Sequence, residues 1–161
     1  MSAVETKLAL RAAMEARDRG AVVETFADDA VLHSPFTDNL AFEGREQIDA
    51  IVAVTLDVLD DLTYTDELRG ARTASLVGHA RVDGVRLEFS DHLKLRSDGQ
   101  IEEMTVFFRP LPASAAAMRR FAEGLARRKS GLRARTIGSM VAPMALMTRT
   151  GDWLGVRLVR P

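Results

Sequence analysis

The chain has 161 residues and no cysteine. That excludes a disulfide framework, a thiolate nucleophile and a cysteine–zinc site. Its three histidines, His33, His79 and His92, include no close pair, so no histidine-rich metal site is expected. No apolar run approaches the ~20 residues that span a bilayer. The opening stretch MSAVETKLAL has neither a basic nor an apolar leader pattern, so a cytoplasmic location is expected. There is no internal repeat and no low-complexity tract. What remains is an ordinary globular balance, 47% apolar and 28% charged residues, which excludes disorder of the whole chain.

The net charge of −1 conceals an asymmetry. Residues 1–110 carry 21 acidic and 12 basic side chains, whereas residues 111–161 carry 2 and 10. The change falls near Pro110 and Pro112. It divides an acidic body, residues 1–112, from a basic helical extension, residues 113–161. Within the extension, Ala113 to Lys129 reads as one helix. Two short helices or a kinked one are expected around Pro143, and Trp153 lies beyond them.

The body begins with good helix formers from Val4 to Asp18, ended by Gly20, and a short helix from Ala21 to Ala27. Asp28 and Asp29 read as a loop before a strand from Ala30 to Ser34, stopped by Pro35. Ala41 to Glu43 is a short strand. Arg45 to Leu59 is a helix whose apolar stripe runs through Ile48, Ile51, Val52 and Leu56. From Leu62 the period changes to two. Asp83-Gly84 and Asp98-Gly99 mark hairpin turns. Two-residue loops place Leu76 opposite Asp91, Gly78 opposite Phe89, Asp91 opposite Val106 and Leu95 opposite Glu102. Helices followed by an antiparallel meander make an α+β architecture.

One acid interrupts this pattern. Asp91 shares a strand face with Val85, Leu87, Phe89, Leu93 and Leu95. A carboxylate there must find a partner, hold a proton or reach water in a cavity. The competing reading is an Asp that salt-bridges an arginine or caps a turn. Tyr64 offers a phenol to a ligand if its face points inward, and is otherwise a core tyrosine with a satisfied hydroxyl. Met14, Ile51, Leu56, Phe89, Met104, Val106 and Phe108 are expected to line an apolar pocket or simply to fill a core. His33 is expected on the strand face opposite Ser34 and reaches the pocket only if the strand twists. His79 and His92 are expected on the outer face, in surface pairs or a subunit interface.

Several stretches together resemble a known family. They are Phe26-Ala27-Asp28-Asp29-Ala30 leading into His33-Ser34-Pro35, Phe42-Glu43-Gly44-Arg45 before the third helix, and Ser90-Asp91-His92-Leu93-Lys94-Leu95 followed by Asp98-Gly99 and Phe107-Phe108-Arg109-Pro110. They resemble the nuclear transport factor 2-like superfamily, in its SnoaL-like branch of polyketide cyclases and ketosteroid isomerase relatives. The resemblance implies a cone-shaped half-barrel, with N-terminal helices packed on a curved antiparallel or mixed sheet, and a homodimer formed through the outer sheet surface. It places Asp91 at the acid that donates to the isomerases' oxyanion. It places Ser34 where they carry their general base, and Leu10 where they carry a tyrosine.

Three functional readings follow. The first is binding of a small hydrophobic ligand in an apolar pocket, with Asp91 and Ser34 among its polar contacts and no steroid-isomerase base. The second is an isomerase or cyclase using Asp91 with His33 or Asp38. The third is a dimeric scaffold, or a protein that meets a membrane surface through basic residues 130–161. Neither a metal nor a cofactor is implied. The extension lacks interleaved aromatics, so nucleic acid is not an expected partner.

Overall fold

The computed structural model describes residues 3–129. Helix α1 (Ala3–Glu15) ends in a turn where Arg17 takes a φ of 58°. Asp18 then caps α2 (Arg19–Glu24) by accepting the Ala21 N–H at 3.0 Å. The break therefore precedes Gly20, because the capping carboxylate starts the next helix early. The Arg17 guanidinium donates to the carbonyls of Leu56 and Leu59, which ties this turn to the end of the third helix.

Strand β1 (Phe26–His33) starts four residues before the expected Ala30. Asp28 and Asp29 belong to the strand, and both are exposed. The register slips here, between Phe26 and Val31. Such an irregularity lets two successive side chains face solvent, which strict alternation does not reveal. Asp28 and Asp29 meet Arg45 and Arg96. Strand β2 (Ala41–Glu43) and helix α3 (Gly44–Val58) follow the expected pattern, with Ile48, Ile51, Val52 and Leu56 buried.

The meander comprises β3 (Asp60–Arg69), β4 (Thr73–Val82), β5 (Val85–Leu95) and β6 (Ile101–Arg109). Asp83 and Gly84 both have positive φ, 48° and 75°, as a two-residue hairpin loop requires. Val82 pairs with Val85, Gly78 with Phe89 and Leu76 with Asp91. The second turn is longer than expected. Arg96 N–H donates to the Gln100 carbonyl, Gly99 N–H to the Arg96 carbonyl, and of this turn only Gly99 has positive φ. Leu95 therefore pairs with Ile101 rather than Glu102. A register shift between Lys94 and Leu95 absorbs the extra residue, and the expected Asp91–Val106 pair is restored, with Lys94–Glu103 and Phe89–Phe108 in the same register.

The six strands lie in the order β2-β1-β6-β5-β4-β3, with β1 parallel to β6. The sheet is mixed and unclosed, as the α+β expectation has it. Helix α4 (Leu111–Lys129) packs back on the body, burying Ala113, Ala117 and Phe121. It comes close to α3 because Gly124 faces Val54, whose Cγ1 would lie 2.7 Å from an added Cβ. The helices expected around Pro143, and Trp153, lie outside the described residues.

Gly78 is required by its surroundings. A Cβ there would sit 2.5 Å from both the Thr63 carbonyl oxygen and the Phe89 ring. The carbonyl belongs to the neighbouring strand and has no rotamer by which to move aside. Gly78→Ala is expected to lower stability by about 1–3 kcal/mol, read as a lower urea midpoint with an unchanged slope.

Candidate functional site

Between the helices and the inner sheet face lies a cavity of about 320 Å³, within the range that accepts a small organic molecule. Its sheet wall carries Tyr64, Phe89, Asp91, Met104, Val106 and Phe108. Met14 of α1 and Ile51 of α3 face them, and Ser34 stands on the loop after β1. All nine were expected there. Exposed Thr37 and Leu40 also contribute, which puts a rim of the cavity at the 34–40 loop.

Three candidate residues lie off the cavity wall. Leu56 is buried in the core but does not line the cavity; Thr55 does. The helical period turns positions 51, 52 and 55 inward and rotates 56 away. His33 alternates with Leu32, which lines the cavity, so His33 points outward, with Nε2 3.4 Å from Glu103 Oε1. Asp38 is exposed on its loop and is not part of the wall. His33 thus takes the outward face that alternation predicts, and the alternative in which His33 or Asp38 reaches the pocket is not found. On the outer face, His79 pairs with Glu88 across the strands, and His92 Nδ1 lies 3.1 Å from Ser75 Oγ.

Asp91 is 4% exposed, and its one protein hydrogen bond among the described residues comes from the Tyr64 hydroxyl, at 2.8 Å to Oδ2. Tyr64 itself is 1% exposed. The two residues stand on β3 and β5, with β4 between them. Gly78 pairs with both Tyr64 and Phe89, and its missing side chain lets the Tyr64 and Phe89 rings meet edge-on at 5.1 Å. The Tyr64 backbone is held as well. Its N–H donates to Glu15 Oε1 at 2.9 Å, where the β3 register slips, and Arg11 Nε lies 3.3 Å from the same carboxyl oxygen. Helix α1 thus fixes the tyrosine that fixes Asp91.

Burial raises the Asp91 carboxyl to about 7, and the Tyr64 hydrogen bond opposes the rise. The Tyr64 hydroxyl is pushed well above its ordinary range, first by burial and then by the neighbouring Asp91 charge. No lysine, arginine or histidine among the described residues lines the cavity. Among those residues there is also no cluster able to hold a metal ion.

The sequence reading missed the part of the wall made by α4, where Met118, Phe121, Ala122 and Leu125 line the cavity. Their spacing is an apolar helical stripe, the face that a helical extension covering its own domain buries. Phe36 was missed as well. Its ring lies 5.5 Å from that of Phe108 and 5.8 Å from that of Phe121. Nothing in the loop sequence around Pro35 marks it.

An α+β fold with an apolar cavity between a curved mixed sheet and its helices defines the class. The chain belongs to the SnoaL-like domain family, which matches residues 8–104. Among solved structures, it is similar to a steroid delta-isomerase from Pseudomonas aeruginosa, at 25% identity and a TM-score of 0.73, covering 80% of this chain and 94% of that one. A cystatin-like-fold protein from Silicibacter pomeroyi is 17% identical, with a TM-score of 0.71 over 82% of this chain and 91% of that one. A putative SnoaL-like polyketide cyclase from Shewanella denitrificans is 12% identical, with a TM-score of 0.57 over 73% of this chain and 96% of that one. No protein with a curated description matches the chain.

The raised carboxyl has a consequence for stability. The unfolded chain releases this proton near the ordinary carboxylate value, and the folded chain holds it to about 7. The stabilisation from neutral Asp91 is therefore complete below about pH 4 and is lost as pH rises towards 7, by on the order of 4 kcal/mol. Asp91→Asn is expected to gain stability relative to the parent protein across that window, measured by paired urea melts. Tyr64→Phe removes the hydrogen bond that opposes the rise, so the Asp91 midpoint is expected to move upward in a carboxyl carbon NMR titration.

Proposed function

We propose that the protein binds a small, largely hydrophobic molecule in this cavity, with Asp91 as the ligand's polar contact. The observation that carries the reading is the buried Tyr64–Asp91 pair on an otherwise apolar wall. A desolvated carboxyl with one protein partner is costly in a core. Beside a cavity, its remaining oxygen serves a ligand. The basic helix α4 belongs to this reading, because its inner face closes the ligand space.

Steroid isomerisation by a general base is not part of the proposal. The resemblance puts that base at Ser34 and the oxyanion tyrosine at Leu10. Both positions line the cavity, yet Leu10 has no polar group. Ser34 Oγ accepts the Phe36 N–H at 3.2 Å and has no base beside it among the described residues. An isomerase or cyclase pairing Asp91 with His33 or Asp38 lacks its second group in the cavity. Single-acid chemistry by Asp91 is the second reading, favoured by a carboxyl poised to give a proton near neutrality. It predicts turnover that collapses in Asp91→Asn while the fold is retained.

The homodimer is likewise proposed, through the outer sheet face. Phe107 stands there 58% exposed, in register with Ser90, so its ring would be covered in such a dimer. The alternative membrane-surface role depends on residues 130–161, which lie outside the described residues.

Native mass spectrometry of the purified chain should show a dimer carrying a discrete small mass that is lost on denaturation. A neutral dye such as Nile red should bind once per subunit. Val106→Trp, which fills the space beside Asp91, should abolish dye binding without changing the circular dichroism. Unchanged dye binding in Val106→Trp would defeat the cavity reading. Phe107→Glu should shift the sedimentation coefficient to that of a monomer.

A further inference from the structure

The sequence holds nine aromatic side chains, and seven of them line this one cavity. Phe36, Phe108 and Phe121 form one group of rings with centroids 5.5 to 6.3 Å apart. Tyr64 and Phe89 form a second, edge-on pair beside Asp91. Burial of a neutral apolar molecule would be served equally by leucine and valine. Aromatic rings add attraction for a cation held over their faces.

The polar groups at the buried end point the same way. The Tyr64 proton is committed to Asp91 Oδ2 and the Thr55 hydroxyl proton to the Ile51 carbonyl, at 2.8 and 2.9 Å. Asp91 Oδ1 accepts no hydrogen bond from any described residue. Ser34 and Thr37 lie on the rim loop instead. The buried end thus presents acceptor oxygens, an acid and rings, with no basic side chain from the described residues. An anionic ligand finds no counter-charge there, and a carbonyl finds no donor except a proton on Asp91 itself.

We propose that the ligand is a hydrophobic amine, with its alkylammonium N–H donating to Asp91 Oδ1, its N-alkyl groups on the surrounding rings and its apolar body filling the rest of the cavity. The proposal rests on the cavity being a ligand site. An ammonium brought against Asp91 offsets the desolvation that burial imposes on the carboxylate. Binding then favours the ionised form of the acid, the reverse of what a carbonyl ligand would do.

Few other groups act on this titration. Tyr64 faces Asp91 from β3, with Glu15 and Arg11 of α1 behind it. The paired residues on β4 and β6 are Leu76 and Val106. Helices α2, α3 and α4 bring no titratable side chain to the wall. The affinity for an amine should therefore follow the ionisation of Asp91.

Isothermal titration of the full chain with three probes of one shape tests this: (naphthylmethyl)dimethylamine, isobutylnaphthalene and naphthylacetone. At pH 8 the amine should bind at least about tenfold more tightly than the hydrocarbon. With the carboxyl at about 7, its affinity should fall about tenfold between pH 8 and pH 6. Asp91→Asn should reduce the amine to the level of the hydrocarbon. Should that variant not fold, Tyr64→Phe should move the pH of half-loss upward. A ketone that binds most tightly, and weakens as pH rises, overturns the amine while leaving the cavity reading intact. Equal, pH-independent binding of all three does the same. If none of the three binds, both readings fall together.

Discussion

The hydrogen bond from Tyr64 to Asp91 joins two strands that are not neighbours, and much of the molecule is arranged so that it can form. The Tyr64 ring meets that of Phe89 across β4, where Gly78 leaves room. Its backbone is held by Glu15, which requires α1 to run along the edge of the sheet. Arg17 secures the turn after α1 to the end of α3, so two helices and three strands are bound to a single polar contact.

That contact keeps a carboxyl where hydration is lost. The fold tolerates it because the proton can stay on, and the energetic cost is confined to conditions in which the acid ionises. A core designed only for stability would place an aliphatic residue at position 91. A buried acid next to an open cavity is the observation on which the proposed ligand role rests. The same logic covers α4. Its alanines bury against the body, while Phe121 and Leu125 are turned towards the cavity. The family match ends at residue 104, so this helix is where the chain closes its cavity beyond the matched stretch.

Much of this was legible in the sequence. Asp83-Gly84 set the register that puts Asp91 opposite Leu76, because both turn residues must have positive φ. The second turn was read one residue too short, since Asp98-Gly99 is compatible with both two- and three-residue loops; the slip at Leu95 hid the difference from the pairs further along. Asp28 and Asp29 were misplaced because an irregular strand breaks the alternation by which strands are read. Alternation placed His33 on the face away from Ser34, and there it lies, whereas Asp38 follows Ser34 in a loop where no period sets direction. Leu56 missed the cavity by one residue of helical rotation.

By itself the sequence determined the class of fold, the face on which Asp91 lies and most of the apolar wall. Those follow from periodicity and turn chemistry, which act over a few residues. Only the tertiary structure decided that Tyr64 is the partner of Asp91, that α4 closes the cavity and that seven aromatic residues line that one cavity. These depend on how strands and helices distant in the chain come to lie together. A contact across an intervening strand leaves no spacing in the sequence by which it could be read.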